Sequence, residues 1–142
     1  MPNRIPALDR TAALAVALPI ATLPFLVPHV VEDFHWGIAA RVGLPGDVLA
    51  ACVGFALAAQ MAGIALAVQG RALGLGVVAA TAALWTIGGL WDHGTALLVS
   101  GLGFRGRALS ALWAMGLIAG QATAGACALV ALRAPLRARR RG

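Results

Sequence analysis

Four apolar runs, each long enough to cross a lipid bilayer as a helix, take up most of this chain of 142 residues. They cover 11–34, 48–68, 73–91 and 108–132. A spanning helix needs about 20 mostly apolar residues, because the backbone must satisfy its own hydrogen bonds across roughly 30 Å of hydrocarbon. The composition agrees, with 61% hydrophobic and 11% charged residues, against about 45–50% and 25% in soluble domains. The expected fold is all-α: an integral membrane four-helix transmembrane bundle, with residues 1–142 forming a single domain. The link Gln69-Gly70-Arg71 is so short that the second and third runs must form an antiparallel hairpin.

The first run has two features of its own. Arg4 and Arg10 precede it, as in a signal peptide. Yet the run is long, lacks a small-x-small cleavage pattern and carries Pro19, Pro24 and Pro28. It reads as a retained helix that the prolines kink or partly open, which neighbouring groups in a bundle tolerate.

All eleven basic residues are arginine, a bias typical of a GC-rich bacterial genome. Four crossings put both termini on one side. That side holds Arg4, Arg10, Arg71, Arg133, Arg137, Arg139, Arg140 and Arg141; the other holds Arg41, Arg105 and Arg107. The bias predicts a multi-pass protein of the bacterial cytoplasmic (inner) membrane, with both termini and the basic tail 133–142 in the cytoplasm. The formal charge of +6 gives no reason to expect a nucleic acid, because the excess sits in a tail beside a membrane helix, where it reads as a topology signal. Cys52 and Cys127 lie far apart among apolar neighbours with no CxxC partner, which excludes thiol-exchange motifs and reads as small buried side chains.

Chemistry-bearing residues are confined to two stretches, each where an apolar run ends. His29-Val-Val-Glu32-Asp33-Phe-His35-Trp36 follows the first run, and Trp91-Asp92-His93 follows the third. Together they hold every histidine and three of the five acidic residues. The expected crossings put both stretches on the outward side. Residues at i, i+3, i+4 and i+7 share a helix face, so His29, Glu32, Asp33 and Trp36 stack on one surface, at the same level as Asp92 and His93. Ionisable groups at membrane depth are costly and usually face a bundle interior or a wet cavity.

Four readings of this cluster stay open. It is a solvated helix end whose acids pair with Arg41, Arg105 or Arg107. Or it is a first-row transition-metal site, with His29, Glu32, Asp33 and His93 as ligands of a type suited to zinc, iron or manganese. Or it is a bis-histidine haem site, with His29 and His93 as axial ligands. Or it is an acid–base or quinone pocket, with Glu32, Asp33 and Asp92 as candidate catalytic carboxylates. Trp36 and Trp91, with His29 and His93, are the candidate cofactor-binding residues. Trp85 and Trp113 are further possible lining, and Trp36 and Trp91 also suit an interfacial aromatic belt.

Inside the bundle, Gly116 and Gly120 form a GxxxG step, and Ala59 and Gly63 a small-xxx-small step. Such steps let helices approach closely, either within the chain or in a homodimer through Gly116/Gly120. Gln60 and Gln121 fall at similar depth and are expected to hydrogen-bond to each other.

From the second run onward the chain resembles the DoxX-like family of small four-helix bacterial membrane proteins. The resemblance rests on Gly43-Leu44-Pro45, on Gln60-Met61-Ala62-Gly63-Ile64-Ala65-Leu66, and on Gly70-Arg71-Ala72, within a span of about 11–132. The family often carries an acidic residue near the place of Gln60, so no role that needs charge there carries over. The resemblance implies a redox-associated accessory membrane subunit, linked to quinol or thiol systems and partnered by another membrane subunit. The functional expectation is thus a small multi-pass protein whose outward His/Glu/Asp cluster binds a quinone, a metal or a partner. The alternative is a membrane enzyme acting on a lipid-like substrate by carboxylate/His acid–base chemistry.

Overall fold

A helix pairs its backbone groups within its own segment, and the described residues are helical apart from short links. The computed structural model describes residues 8–139. Arg4, Arg140 and Arg141, which entered the arginine comparison, lie outside them. The elements are α1 (Arg10–Ala21), α2 (Leu23–His35), a short α3 (Ile38–Arg41), α4 (Gly46–Val68), α5 (Ala72–Ser100), a 3-10 turn η1 (Gly101–Gly106) and α6 (Ala108–Arg139), with no strand among the described residues. α4, α5 with η1, and α6 are each long and apolar enough to cross a membrane, and α1 with α2 forms a fourth such span, bent by 42°.

The bend falls at Thr22, between Pro19 inside α1 and Pro24 in the first turn of α2. A proline in a first helical turn removes an N–H that has no intrahelical partner anyway. The Pro19 carbonyl at the bend is met by a hydrogen-bonded line through the core. Gln60 Nε2 donates to Gln121 Oε1 at 2.8 Å, Gln121 Nε2 donates to Thr22 Oγ1 at 2.8 Å, and the Thr22 hydroxyl donates to the Pro19 carbonyl at 2.9 Å. Both glutamines are fully buried. The expected Gln60–Gln121 pair is therefore present, and it continues to the kink, tying α4 and α6 to the hinge of the first span.

Small residues set the helix spacing. A Cβ on Gly74 would collide with the backbone of Ala67 and Gly63, so only glycine lets α5 lie this close to α4. Gly116 and Gly120 play the same part for α6. A Cβ at Gly116 would stand 2.5 Å from the Phe25 ring, and one at Gly120 would meet the Thr22 methyl. The GxxxG face thus packs against the bend and α2 within the chain.

The third helix is longer than its apolar run. Instead of ending at Trp91, α5 continues for more than two further turns to Ser100. Asp92 and His93 do not terminate it because their side chains find partners on α2 and α3, and apolar helical sequence resumes after them. α5 is about 43 Å long at 1.5 Å per residue, more than the roughly 30 Å of a hydrocarbon core.

The molecule carries its apolar residues outward. Phe55, Leu73, Trp91, Leu98 and Val99 are exposed, whereas His29, Glu32, Asp33, Gln60, His93, Ser110 and Gln121 are buried. After the bend, α2 packs on α6. The space between α2, α3, α4 and α5 is a cavity of about 600 Å³.

Candidate functional site

The inner face of α2 carries His29, Glu32 and Asp33 at the i, i+3, i+4 spacing, and all three are buried. Asp33 is their centre. Its Oδ1 accepts from Arg105 Nη2 at 2.6 Å. His93 Nε2 lies 3.3 Å from Asp33 Oδ2, and His29 Nε2 lies 3.4 Å from the same oxygen. Glu32 turns the other way, accepting from Arg105 Nη1 at 3.1 Å and from the Ser110 hydroxyl at 2.5 Å. The two clusters separated in sequence therefore meet, with α2 and α5 as walls and η1 and α6 closing one side.

From sequence, Arg105 is only one of three possible partners for a solvated patch, alongside Arg41 and Arg107. Its side chain is buried and spans both α2 carboxylates. It reaches them because η1 reverses at Phe104 and Arg105, and Arg105 itself adopts φ 53°. That left-handed conformation is unfavourable for a residue with a Cβ. The paired carboxylates, and stacking of the guanidinium on Phe104 at 4.9 Å and Trp36 at 5.8 Å, hold it there. The only hint in sequence is a lone arginine between glycines in Gly103-Phe104-Arg105-Gly106.

Asp92 forms the outer layer. It accepts from Arg41 Nε at 3.2 Å and Nη2 at 2.7 Å, while Arg41 Nη1 donates to the Trp36 carbonyl at 2.7 Å. The hydrogen bond to Asp92 raises the pKa of Arg41 above its ordinary value. Asp92 Oδ2 also lies 3.3 Å from His93 Nε2, so this imidazole sits between two carboxylates. Three carboxylates (Glu32, Asp33, Asp92) face two guanidiniums (Arg41, Arg105). With neutral imidazoles, one negative charge is left over in a largely buried site.

His29, Asp33, Asp92 and His93 form the polar part of the cavity wall, with Arg41 at its edge. Most of the remaining lining is apolar and comes from α2, α4 and α5, including Val53, Leu84 and Gly88. Two buried atoms on this wall lack a hydrogen-bond partner: His29 Nδ1 and Trp85 Nε1. Trp91 reaches the rim but is 89% exposed, and Trp36 is half-exposed beside Arg105. His35 is exposed against Trp36.

This arrangement separates the candidate chemistries. Donor atoms of His29, Asp33 and His93 all lie within 4.8 Å of one another. Glu32 stands outside that group, its oxygens taken by Arg105 and Ser110, so the four-ligand set expected from sequence reduces to three. A haem held between His29 and His93 does not fit. The two rings touch edge to face with centroids 4.7 Å apart, which leaves no room for a macrocycle between them. Comparison with known protein families, with curated proteins and with solved structures gives no match.

Replacing Arg105 with alanine strands Glu32 and Asp33 as buried charges. The expected loss is about 3–5 kcal/mol, the usual result of removing one partner of a buried pair. Arg41→Ala, at a more exposed pair, is expected to cost about 0–1 kcal/mol. Thermal unfolding in detergent, followed by circular dichroism, checks the contrast. Equal losses for the two variants would contradict it.

Proposed function

We propose that this chain is a four-span membrane protein that binds an amphiphile of the quinone or lipid class in the cavity between α2, α4 and α5. The observation that carries this reading is the cavity itself. Its volume of about 600 Å³ lies within the roughly 300–1,000 Å³ common for ligand sites, which pair mostly apolar walls with a few convergent polar groups. A polar head would lie against His29, Asp33 and His93, with Trp85 Nε1 as a further free donor. The apolar remainder of the ligand would lie along α4 and α5. A quinone head is the redox-class occupant that the DoxX-like resemblance implies, and it accepts hydrogen bonds from such donors.

A bilayer around the bundle accounts for the outward apolar surface, since contiguous exposed apolar patches of this kind mark membrane or protein contacts. The arginine bias supports cytoplasmic termini in a bacterial inner membrane. A C-terminal alkaline phosphatase fusion is then expected to be inactive and a fluorescent-protein fusion bright. The opposite pair of results refutes this orientation.

Acid–base chemistry on a lipid-like substrate is the second reading. The observation favouring it is His93 Nε2 between Asp33 and Asp92 on the cavity wall, an arrangement in which a carboxylate orients an imidazole for proton transfer. Under this reading His93→Gln removes turnover and spares binding.

Gly88 gives the direct test of occupancy. It lines the cavity, and a Cβ placed there meets nothing within 4 Å. Gly88→Leu is therefore expected to fill the cavity without disturbing the helices. Binding of a short-chain quinone or a lysophospholipid, read as quenching or shift of tryptophan fluorescence, should weaken at least about tenfold, or ~1.4 kcal/mol. Which probe binds wild type separates the two ligand classes. Unchanged affinity in Gly88→Leu for a probe that binds wild type, or no binding of either probe, would sink the reading.

A further inference from the structure

We infer that His29, Asp33 and His93 form a site for one divalent first-row transition metal, whose fourth ligand is an anion reached through the cavity. The distances carry this assignment. His93 Nε2 lies 3.2 Å from Asp33 Oδ1 and 3.3 Å from Oδ2, and His29 Nε2 lies 3.4 Å from that same Oδ2. Charge-assisted hydrogen bonds from nitrogen to a carboxylate run at about 2.7–2.9 Å, so these separations are long for that role. The two separations from Oδ2 match edges of a tetrahedron around zinc, and the three donor atoms all lie within 4.8 Å of one another. Metal–ligand distances of about 2.0–2.1 Å give ligand–ligand edges of about 3.3–3.4 Å.

The surroundings suit a metal in two further ways. Arg105 engages Asp33 through Oδ1, which fixes the carboxylate with Oδ2 within reach of both imidazoles. Outer hydrogen bonds of this kind orient metal ligands. Charge then selects the fourth ligand. The site holds one uncompensated negative charge when the imidazoles are neutral. A divalent cation converts that to one positive charge, and hydroxide or a ligand oxyanion brings it to zero. Buried sites disfavour uncompensated charge, and a bound metal lowers the pKa of its water towards neutrality. All three ligands line the cavity, so that side supplies the fourth ligand. Two imidazoles and one carboxylate with an open position form a catalytic rather than a structural set. The site does not depend on which amphiphile occupies the cavity.

Zinc is the probe. Protein purified in detergent, stripped with a chelator, loaded with zinc and desalted is expected to retain about one zinc per chain, the stoichiometry of a single mononuclear site. Asp33→Asn, His29→Ala and His93→Ala are expected to retain none. Glu32→Gln and His35→Ala are expected to retain as much as wild type, and circular dichroism establishes the helix content of each variant. A check that needs no variant is X-ray absorption of the zinc-loaded wild type, expected to read two imidazoles and a carboxylate oxygen at about 2.0–2.2 Å. A folded wild type that keeps no zinc, or a spectrum without two imidazoles, overturns the assignment. So does zinc retained by folded Asp33→Asn and His93→Ala.

Discussion

One buried carboxylate, Asp33, joins three separate parts of the chain. It accepts from Arg105 in η1, meets His93 of α5 and stands one turn from His29 on its own helix. A lone carboxylate in such surroundings would be neutralised or would destabilise the fold, because the desolvation of a charge far exceeds that of a neutral polar group. The fold answers with a guanidinium shared between Asp33 and Glu32, at the cost of a left-handed arginine. The left-handed reversal of η1 is what brings Arg105 to both carboxylates.

A second polar line works at the depth of the kink. Gln60, Gln121 and Thr22 connect α4 and α6 to the bend in the first span. The bend matters for the cavity because it sets α2 against α6, leaving the space beside α4 and α5. The prolines of the first run, the buried glutamines and the site at the end of the bundle thus belong to one design. The hinge makes the space, and the carboxylate cluster furnishes its polar wall.

The helical fold was legible because long uncharged runs admit few other structures. The kink was legible from its prolines, and the glutamine pair from matching depth. The shared face of His29, Glu32 and Asp33 followed from helical spacing alone. Three things were hidden, each for a physical reason. The end of α5 was misplaced because Asp92 and His93 look like a terminus in a hydropathy profile, whereas paired charges let a helix run on. The division of labour between Glu32 and Asp33 depends on Arg105, whose direction is set by a backbone reversal that composition does not encode. The cavity depends on how far α2 departs from α4, a tertiary quantity absent from any local pattern.

The Asp33–Arg105 contact locks α2 and η1 as a single unit. A double-mutant cycle with Asp33→Ala, Arg105→Ala and the double variant measures this directly by thermal unfolding in detergent. Residues that share a buried charge network show coupling of roughly 0.5–3 kcal/mol, and the account predicts a value in the upper part of that range, with the double variant less damaged than the sum of the singles. Additive losses, within about 0.3–0.5 kcal/mol, would mean that the two residues act independently and would contradict the account.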